Sequence, residues 1–303
     1  MSRSAGLQRE REVQSFVQSW QSAQGSSLNV ALNVDSLEQQ SLHGKGYTPR
    51  ASRDKTLTAF AQLAVLRLGV KRAMVSLIDD QHQTILAEAT RNLKLGDLEA
   101  QAPHESNNPA AAGNNGTSVS SQNGINGPVT ENDLWLGASV ITRADAVCEH
   151  CLTDTCTARD ESGQSYTAPG LIVPDLRLDP RFQNRPYVAS EQGIRFYAGV
   201  PIISRHGHKI GAYAVSDEST RHGLTVDELQ FMQGVSQAIM EHLEWARDRV
   251  DRFKGERIVR GLAAFIEGCS GMDDEPNPSK RRSSRSPSTV RPRISLSRPR
   301  DLL

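Results

Sequence analysis

Three of the four cysteines fall within nine residues: Cys148-Glu149-His150-Cys151 and then Cys156. Cys-x2-Cys is a familiar metal half-site, and His150 would complete four donors. A structural zinc site, however, pairs two separated half-sites. His150 also stands between its two cysteines, where simultaneous tetrahedral ligation is strained. The spacing therefore favours free cysteines at a loop-to-helix junction, and no metal is expected. Cys148, Cys151 and Cys156 become redox candidates, since an exposed cysteine near a cation can ionise. No catalytic constellation is read elsewhere, so the chain is expected to carry no catalytic residues of its own.

A second group of informative residues lies in LIVPDLRLDPRF (171–182) and IRFYAGVPI (194–202). Pro174 ends a strand because it cannot donate to a ladder. Asp175 and Asp179 can each cap a turn. Arg181 beside them reads as a structural ion pair, and Phe182 as a core anchor. Ala198 and Gly199 are small, so something packs close against that strand, either a pocket wall or a helix crossing. Phe196 and Tyr197 must point to opposite faces. The pattern alone does not say which of them faces a pocket.

The elements that position these residues are legible as periodicities. Leu57, Phe60, Ala61, Ala64, Val65 and Leu68 fall on one helical stripe, with Asp54 as N-cap and Gly69 as stop. RAMVSLI (72–78) and TILAEAT (84–90) flank the turn Asp79-Asp80-Gln81-His82, which predicts a hairpin. Residues 134–141 are apolar, and 171–174 form a short buried strand. Residues 196–204 and 209–216 flank Arg205-His206-Gly207-His208 in a second hairpin. Thr225 caps a long helix with Asp227 and Glu228 in its first turn. Leu229, Met232, Ser236, Ile239, Leu243, Ala246, Val250 and Phe253 then make a heptad seam, and an apolar stripe resumes out of phase at Ile258, Leu262 and Phe265. Antiparallel strands with helices at both ends define an α+β class.

Between these elements the composition changes. Residues 8–22 predict one polar helix inside a partly disordered leader, 1–50. Residues 96–133 are Asn-, Ser-, Gly- and Ala-rich and read as a disordered insertion within one domain, 51–254. Residues 255–269 extend the helix, and 270–303 form a disordered Ser-, Arg- and Pro-rich tail. Apolar residues make up 37% of the 303, and mean hydropathy is −0.49, which fits a chain that is not packed throughout. Basic and acidic residues balance at 35 each, so the net charge pulls toward neither nucleic acid nor membrane. The tail segment 280–300 holds eight basic residues and no acid. It reads as a solvated run or a nuclear-localisation or phosphorylation segment, without the aromatics that stack on nucleic acid. No secretory signal or membrane span is read, so a cytoplasmic chain with reduced thiols is expected, with a nuclear address as the alternative.

The motifs 171–182, 194–202, HGHKIGAYAVSDE (206–218) and HGLTVDELQFM (222–232) stand in the order found in GAF domains, and VCEHCL (147–152) is similar to that family's Phe-Cys-Ala-His box. The resemblance covers roughly 54–250 apart from the insertion. It is closest to the N-terminal GAF region of fungal hybrid histidine kinases. It implies a GAF/PAS-like antiparallel sheet with flanking helices and a long C-terminal signalling helix. It offers Trp135, Cys148, Cys151, Phe182, Phe196, Tyr197 and Tyr213 as pocket residues for a small molecule of unknown identity. No cofactor is expected. Covalent bilin attachment and thiol-dependent reduction, both known among GAF relatives, are weaker alternatives, and the reductase would need a wider cysteine spacing.

The expected role is a sensory input, binding a small molecule or sensing redox state, that feeds a phosphorelay through its C-terminal helix. The alternatives are a hybrid-kinase fragment lacking its catalytic part, or a dimerising scaffold without ligand. The expected partners are a second copy, in a parallel homodimer through residues 243–266, and a phosphorelay protein. No membrane or specific nucleic-acid partner is expected.

Overall fold

The computed structural model describes residues 3–24, 31–32, 49–93 and 134–270. The expected insertion 96–133 and the tail beyond Ser270 lie outside them. The chain divides into two compact units, Met1–Phe253 and Lys254–Leu303.

The first unit opens with α1 (Arg3–Gln24) and the two-residue strand β1 (Ala31–Leu32). Helix α2 (Lys55–Leu68) follows. Its N-cap Asp54 accepts from the Leu57 amide at 3.0 Å, and Gly69 stops it at φ 66°, in the left-handed region that glycine enters at no cost. Strands β2 (Arg72–Ile78) and β3 (His82–Thr90) form the first hairpin. Its turn is set by Asp79, whose Oδ1 accepts from the amides of Gln81 (2.8 Å) and His82 (2.6 Å).

The chain returns through β4 (Ser139–Thr142), a 3₁₀ turn over Val147–Leu152, and a separate hairpin of β5 (Thr155–Arg159) and β6 (Ser165–Pro169). Next come β7 (Leu171–Val173), the short α3 (Pro186–Ala189), β8 (Phe196–Ile203) and β9 (Lys209–Asp217). The last element is α4 (Val226–Ser270). It starts on a capping box: the Glu228 amide donates to Thr225 Oγ1 (3.2 Å), and the Thr225 amide donates to Glu228 Oε2 (2.9 Å).

Seven strands form one sheet in the order β1-β4-β3-β2-β9-β8-β7. All pairs are antiparallel except the short β1–β4 pair, which is parallel. This is the α+β fold expected, with an added parallel edge. Its central strands are buried on both faces, so each face has its own cluster. The helical cluster takes α1, α2 and α4 with Val75, Phe196, Tyr213 and Val215. The opposite cluster takes Met74, Tyr197 and Ala214 with the segments around Val147 and Tyr187.

Two expectations are corrected. Helix α1, read as part of a leader outside the domain at 51–254, buries Val13, Phe16, Val17 and Trp20 in the helical cluster. Their spacing of three, one and three places them on one helical stripe. The guanidinium of Arg247 on α4 also lies 4.4 Å from the centre of the Phe16 ring. The α4 seam is likewise intramolecular over its first half. Leu229, Met232, Ile239 and Leu243 are buried in that same cluster, so Leu243 is core and not a dimer contact. Ser236, the polar member of the seam, donates to the Pro201 carbonyl at 2.8 Å. Pro201 lies past the last β7–β8 pair and has no amide to leave unpaired. His242 contacts the capping carboxylate of Asp54 at 3.0 Å, tying α4 to the start of α2.

In the second unit the helix continues to Ser270, and Ile258, Val259, Leu262, Phe265 and Ile266 are all exposed. Truncating a buried aromatic leaves a cavity, so Phe16→Ala should lower the unfolding free energy by about 3 kcal/mol in chemical denaturation. A loss under about 1 kcal/mol would show that α1 does not belong to the cooperative unit.

Candidate ligand-binding site

The non-helical face of the sheet carries a cavity of about 50 Å³. Met74, Tyr197 and Ala214 form its floor on adjacent central strands. Cys148 and Val147 close one side, Leu176, Tyr187 and Ile194 a second, and Trp135 with Leu136 a third. The side chains are overwhelmingly apolar, and Asp145 is the one charged residue among the lining. Its Oδ1 is engaged by Arg185 at 3.2 Å.

Each wall is held by polar contacts outside the cavity. On β3, the buried carboxylate of Glu88 accepts from the amides of Trp135 (2.9 Å), Leu136 (2.8 Å) and Gly137 (2.6 Å). That clamps the point where the described chain resumes. Arg195, also buried, donates to the carbonyls of Val188 (2.6 Å), Ser190 (2.7 Å) and Glu191 (2.9 Å), which fixes the segment carrying Tyr187. Tyr187 Oη donates to the Asp145 carbonyl at 2.8 Å. Arg181 bridges Asp179 and Asp154, both at 2.7 Å, and fastens the 3₁₀ turn to the following loop. Its hydrogen bond holds the Asp179 carboxyl below the usual range. Asp175 and Asp179 accept from the amides two residues on, so the Pro-Asp and Asp-Pro-Arg-Phe motifs are structural, as their residue types indicated.

Gln83 is the polar group that matters inside. It lines the cavity and is 1% exposed, yet its side-chain oxygen has no hydrogen-bond partner among the described residues. A buried acceptor without a donor costs roughly 1–3 kcal/mol, which marks this atom as a candidate contact for a ligand or an ordered water.

The residues expected at a pocket separate into three groups. Trp135, Cys148 and Tyr197 line it. Cys151 and Phe182 pack behind that wall, Phe182 edge-on to His150 with ring centres 5.1 Å apart. Phe196 and Tyr213 face the helices on the other side of the sheet, where Tyr213 Oη donates to the Phe60 carbonyl at 2.7 Å. They are core residues, which corrects the expectation for both. Gln83, Met74, Leu136, Tyr187 and Ile194 were not anticipated. A glutamine at the head of an apolar strand was the one available signal among them. The small residue at 199 is also explained: a Cβ there would lie 2.6 Å from Cys151 Sγ and 2.9 Å from Tyr197 Oη.

The thiols are not the exposed, ionisable groups a redox pair needs. Cys148, Cys151 and Cys156 are free and buried. Burial pushes Cys148 up and Cys151 well up, and the neighbouring sulfur adds to the rise at Cys151. Burial also takes Cys156 to about 11. Cys151 Sγ lies 3.3 Å from Tyr197 Oη, itself raised by burial and by the two thiols. These are cysteines acting as small apolar groups.

A family model described as the GAF domain matches residues 52–243, and the chain belongs to the GAF-domain family. A cyclic di-GMP phosphodiesterase of Pseudomonas aeruginosa is 35% identical over 94 residues, which are 30% of this chain and 16% of that protein. Among solved structures, the chain is similar to the GAF domain of a phosphoenolpyruvate-protein phosphotransferase from Coxiella burnetii. That match has 12% identity and a TM-score of 0.39, over 81% of this chain and 98% of that one. A domain of a two-component sensor histidine kinase protein from Sinorhizobium meliloti aligns at 12% identity and TM-score 0.34, over 67% and 99%. At such identities and scores neither structural likeness bears on function. No helix among the described residues is long and apolar enough to cross a membrane.

Because ionisation precedes alkylation, Cys148, Cys151 and Cys156 should react with iodoacetamide at neutral pH only after unfolding. Mass spectrometry of briefly treated native protein should find these three unmodified. Rapid labelling of Cys148 or Cys151 would contradict their burial and restore a thiol-chemistry reading.

Proposed function

We propose that this chain is a sensory GAF module that binds one small uncharged molecule and passes the event to its long C-terminal helix. The observation that carries this reading is the Gln83 oxygen, without a partner among the described residues, in a cavity lined mostly by apolar side chains. No lysine, arginine or histidine is among the cavity's lining residues, so nothing there recognises a phosphate. A volume near 50 Å³ suits a molecule of a few heavy atoms. Drug-sized ligands and cofactors occupy about 300–1,000 Å³. A cyclic dinucleotide, the substrate in the name of the Pseudomonas relative, or a bilin would need the rim to open. The raised thiols weigh against redox sensing as the alternative input.

The output follows from the sheet. Ala214 and Tyr197 meet the cavity, while their neighbours Tyr213 and Phe196 meet the helical cluster that contains Leu229 to Leu243. A shift of the central strands is therefore felt by both faces. In the second unit, Ile258, Val259, Leu262, Phe265 and Ile266 form one exposed stripe at helical spacing. A parallel homodimer through this stripe is the partner reading, now confined to residues beyond the packed core. A phosphorelay is the proposed context, on the sequence resemblance to fungal hybrid kinases, and the module itself is proposed to be non-enzymatic and cytoplasmic.

Native mass spectrometry of protein purified from its own host tests binding and assembly together. It should show a dimer carrying a non-protein mass. Gln83→Leu should lose the added mass but remain dimeric, and Leu262→Asp should become monomeric. A bare monomer at tens of micromolar, unchanged by either substitution, would contradict the reading.

A further inference from the structure

A second cluster of chemically capable groups lies away from the cavity, where α1 meets the β8–β9 turn. Glu12 of α1 projects into the turn Ser204–His208. Its Oε1 is 2.9 Å from His206 Nδ1, and its Oε2 is 2.7 Å from His208 Nδ1 and 3.0 Å from Ser204 Oγ. Two imidazoles two residues apart, in a turn bent at Gly207 (φ 79°), thus converge on one carboxylate almost two hundred residues away in sequence. Arg205, the cation within the same turn, is engaged instead by the buried Glu244 of α4. The Glu12 side chain is 10% exposed, those of His208 and His206 22% and 72%, so the cluster has a fixed inner wall and an open outer side.

We propose that Glu12, His206 and His208 form a binding site for a late first-row divalent cation, and that zinc is the ion it fits. Two imidazoles and one carboxylate are a donor set that zinc takes in tetrahedral sites with a fourth position left to water, and the open side supplies that position. The Glu12 carboxylate accepts from Ser204 Oγ and faces both imidazoles, so its two oxygens are already turned toward the cluster. Each imidazole becomes a ligand when its proton resides on Nε2 and frees the Nδ1 lone pair. Donors around one tetrahedral zinc stand about 3.3 Å apart, given bonds of about 2.0–2.1 Å. The present contacts must therefore lengthen by about half an ångström. The two imidazoles now sit on opposite carboxylate oxygens with ring centres 6.4 Å apart, and the exposed His206 supplies the swing that brings both to one ion.

Among the described residues, Glu10, Asp79 and Asp80 are the group whose ligand atoms already lie within 4.8 Å of one another, an all-carboxylate set without imidazole. Its central member, Asp79, is already taken by the amides of its own turn. An ion at Glu12 would bind α1 to the β8–β9 turn, and through Phe16 and Arg247 the same helix touches α4.

The test is calorimetric titration of the untagged, metal-free full-length chain with zinc, repeated with cobalt for its visible spectrum. One equivalent of zinc should bind with micromolar or tighter affinity. The cobalt complex should lack the thiolate-to-metal charge-transfer band that ligation by Cys148 or Cys151 would give. Glu12→Gln and His208→Gln should each weaken binding at least about tenfold with unchanged circular dichroism. Should either variant unfold, His206→Gln at the exposed position must show the same loss. Absence of saturable binding, a thiolate band, or affinity unchanged by substitution at Glu12 and the histidines would overturn the proposal.

Discussion

The carboxylate of Glu88 is the contact on which the site depends. It is buried on β3 and receives three successive amides from Trp135, Leu136 and Gly137. Three directed donors offset the desolvation of a charge that would otherwise be costly inside a sheet. They also decide where the chain re-enters the fold. Gly137 at φ 62° brings the turn within reach of Arg50, whose carbonyl accepts from the Ala138 amide at 2.7 Å. From there β4 pairs with β3, and Trp135 and Leu136 are delivered to the cavity wall. Trp135 is braced in turn by Tyr187, with ring centres 5.8 Å apart, and by Arg72, 5.6 Å from its ring centre.

The sheet has two faces, one toward the cavity and one toward the helices. Alternation along β8 and β9 sends Tyr197 and Ala214 to the cavity and Phe196, Tyr213 and Val215 to the helices. Both sets sit on central strands where close packing leaves little slack. The helices are also joined at their ends. Asp54 caps α2 and holds His242 of α4, and the β8–β9 turn holds Glu12 of α1 through its histidines and Glu244 of α4 through Arg205. The helical layer behind the cavity floor is therefore one whose members are mutually fastened.

Much of this architecture was legible because local chemistry and periodicity agreed. Asp54, Gly69 and Thr225 mark helix ends by their own hydrogen-bonding and backbone preferences, and both hairpins follow from β-rich runs around polar turns. Period two showed that Phe196 and Tyr197 part company. It could not say which goes to the cavity, since that depends on which face the helices cover. The burial of α1 was present as the stripe Val13, Phe16, Val17 and Trp20 but was masked by the polar residues around it. Glu88 and Gln83, polar residues within apolar strands, were signals of the same kind, and their partners lie too far along the chain to be paired by inspection. The cysteines misled because spacing reports donor geometry and not burial, and burial is what sets their ionisation.

The central claim is that Glu88 holds the re-entry segment, and with it the cavity wall, in place. Hydrogen exchange of the Trp135, Leu136 and Gly137 amides in the native protein, compared with Glu88→Gln, measures this directly. The account predicts that exchange at these amides accelerates at least about tenfold on substitution, as loss of a charge-assisted hydrogen bond requires. Amides of the central β2–β9 pair, such as Val75 and Tyr213, should keep their protection. Unchanged protection at 135–137, or a loss spread evenly through the sheet, would contradict it.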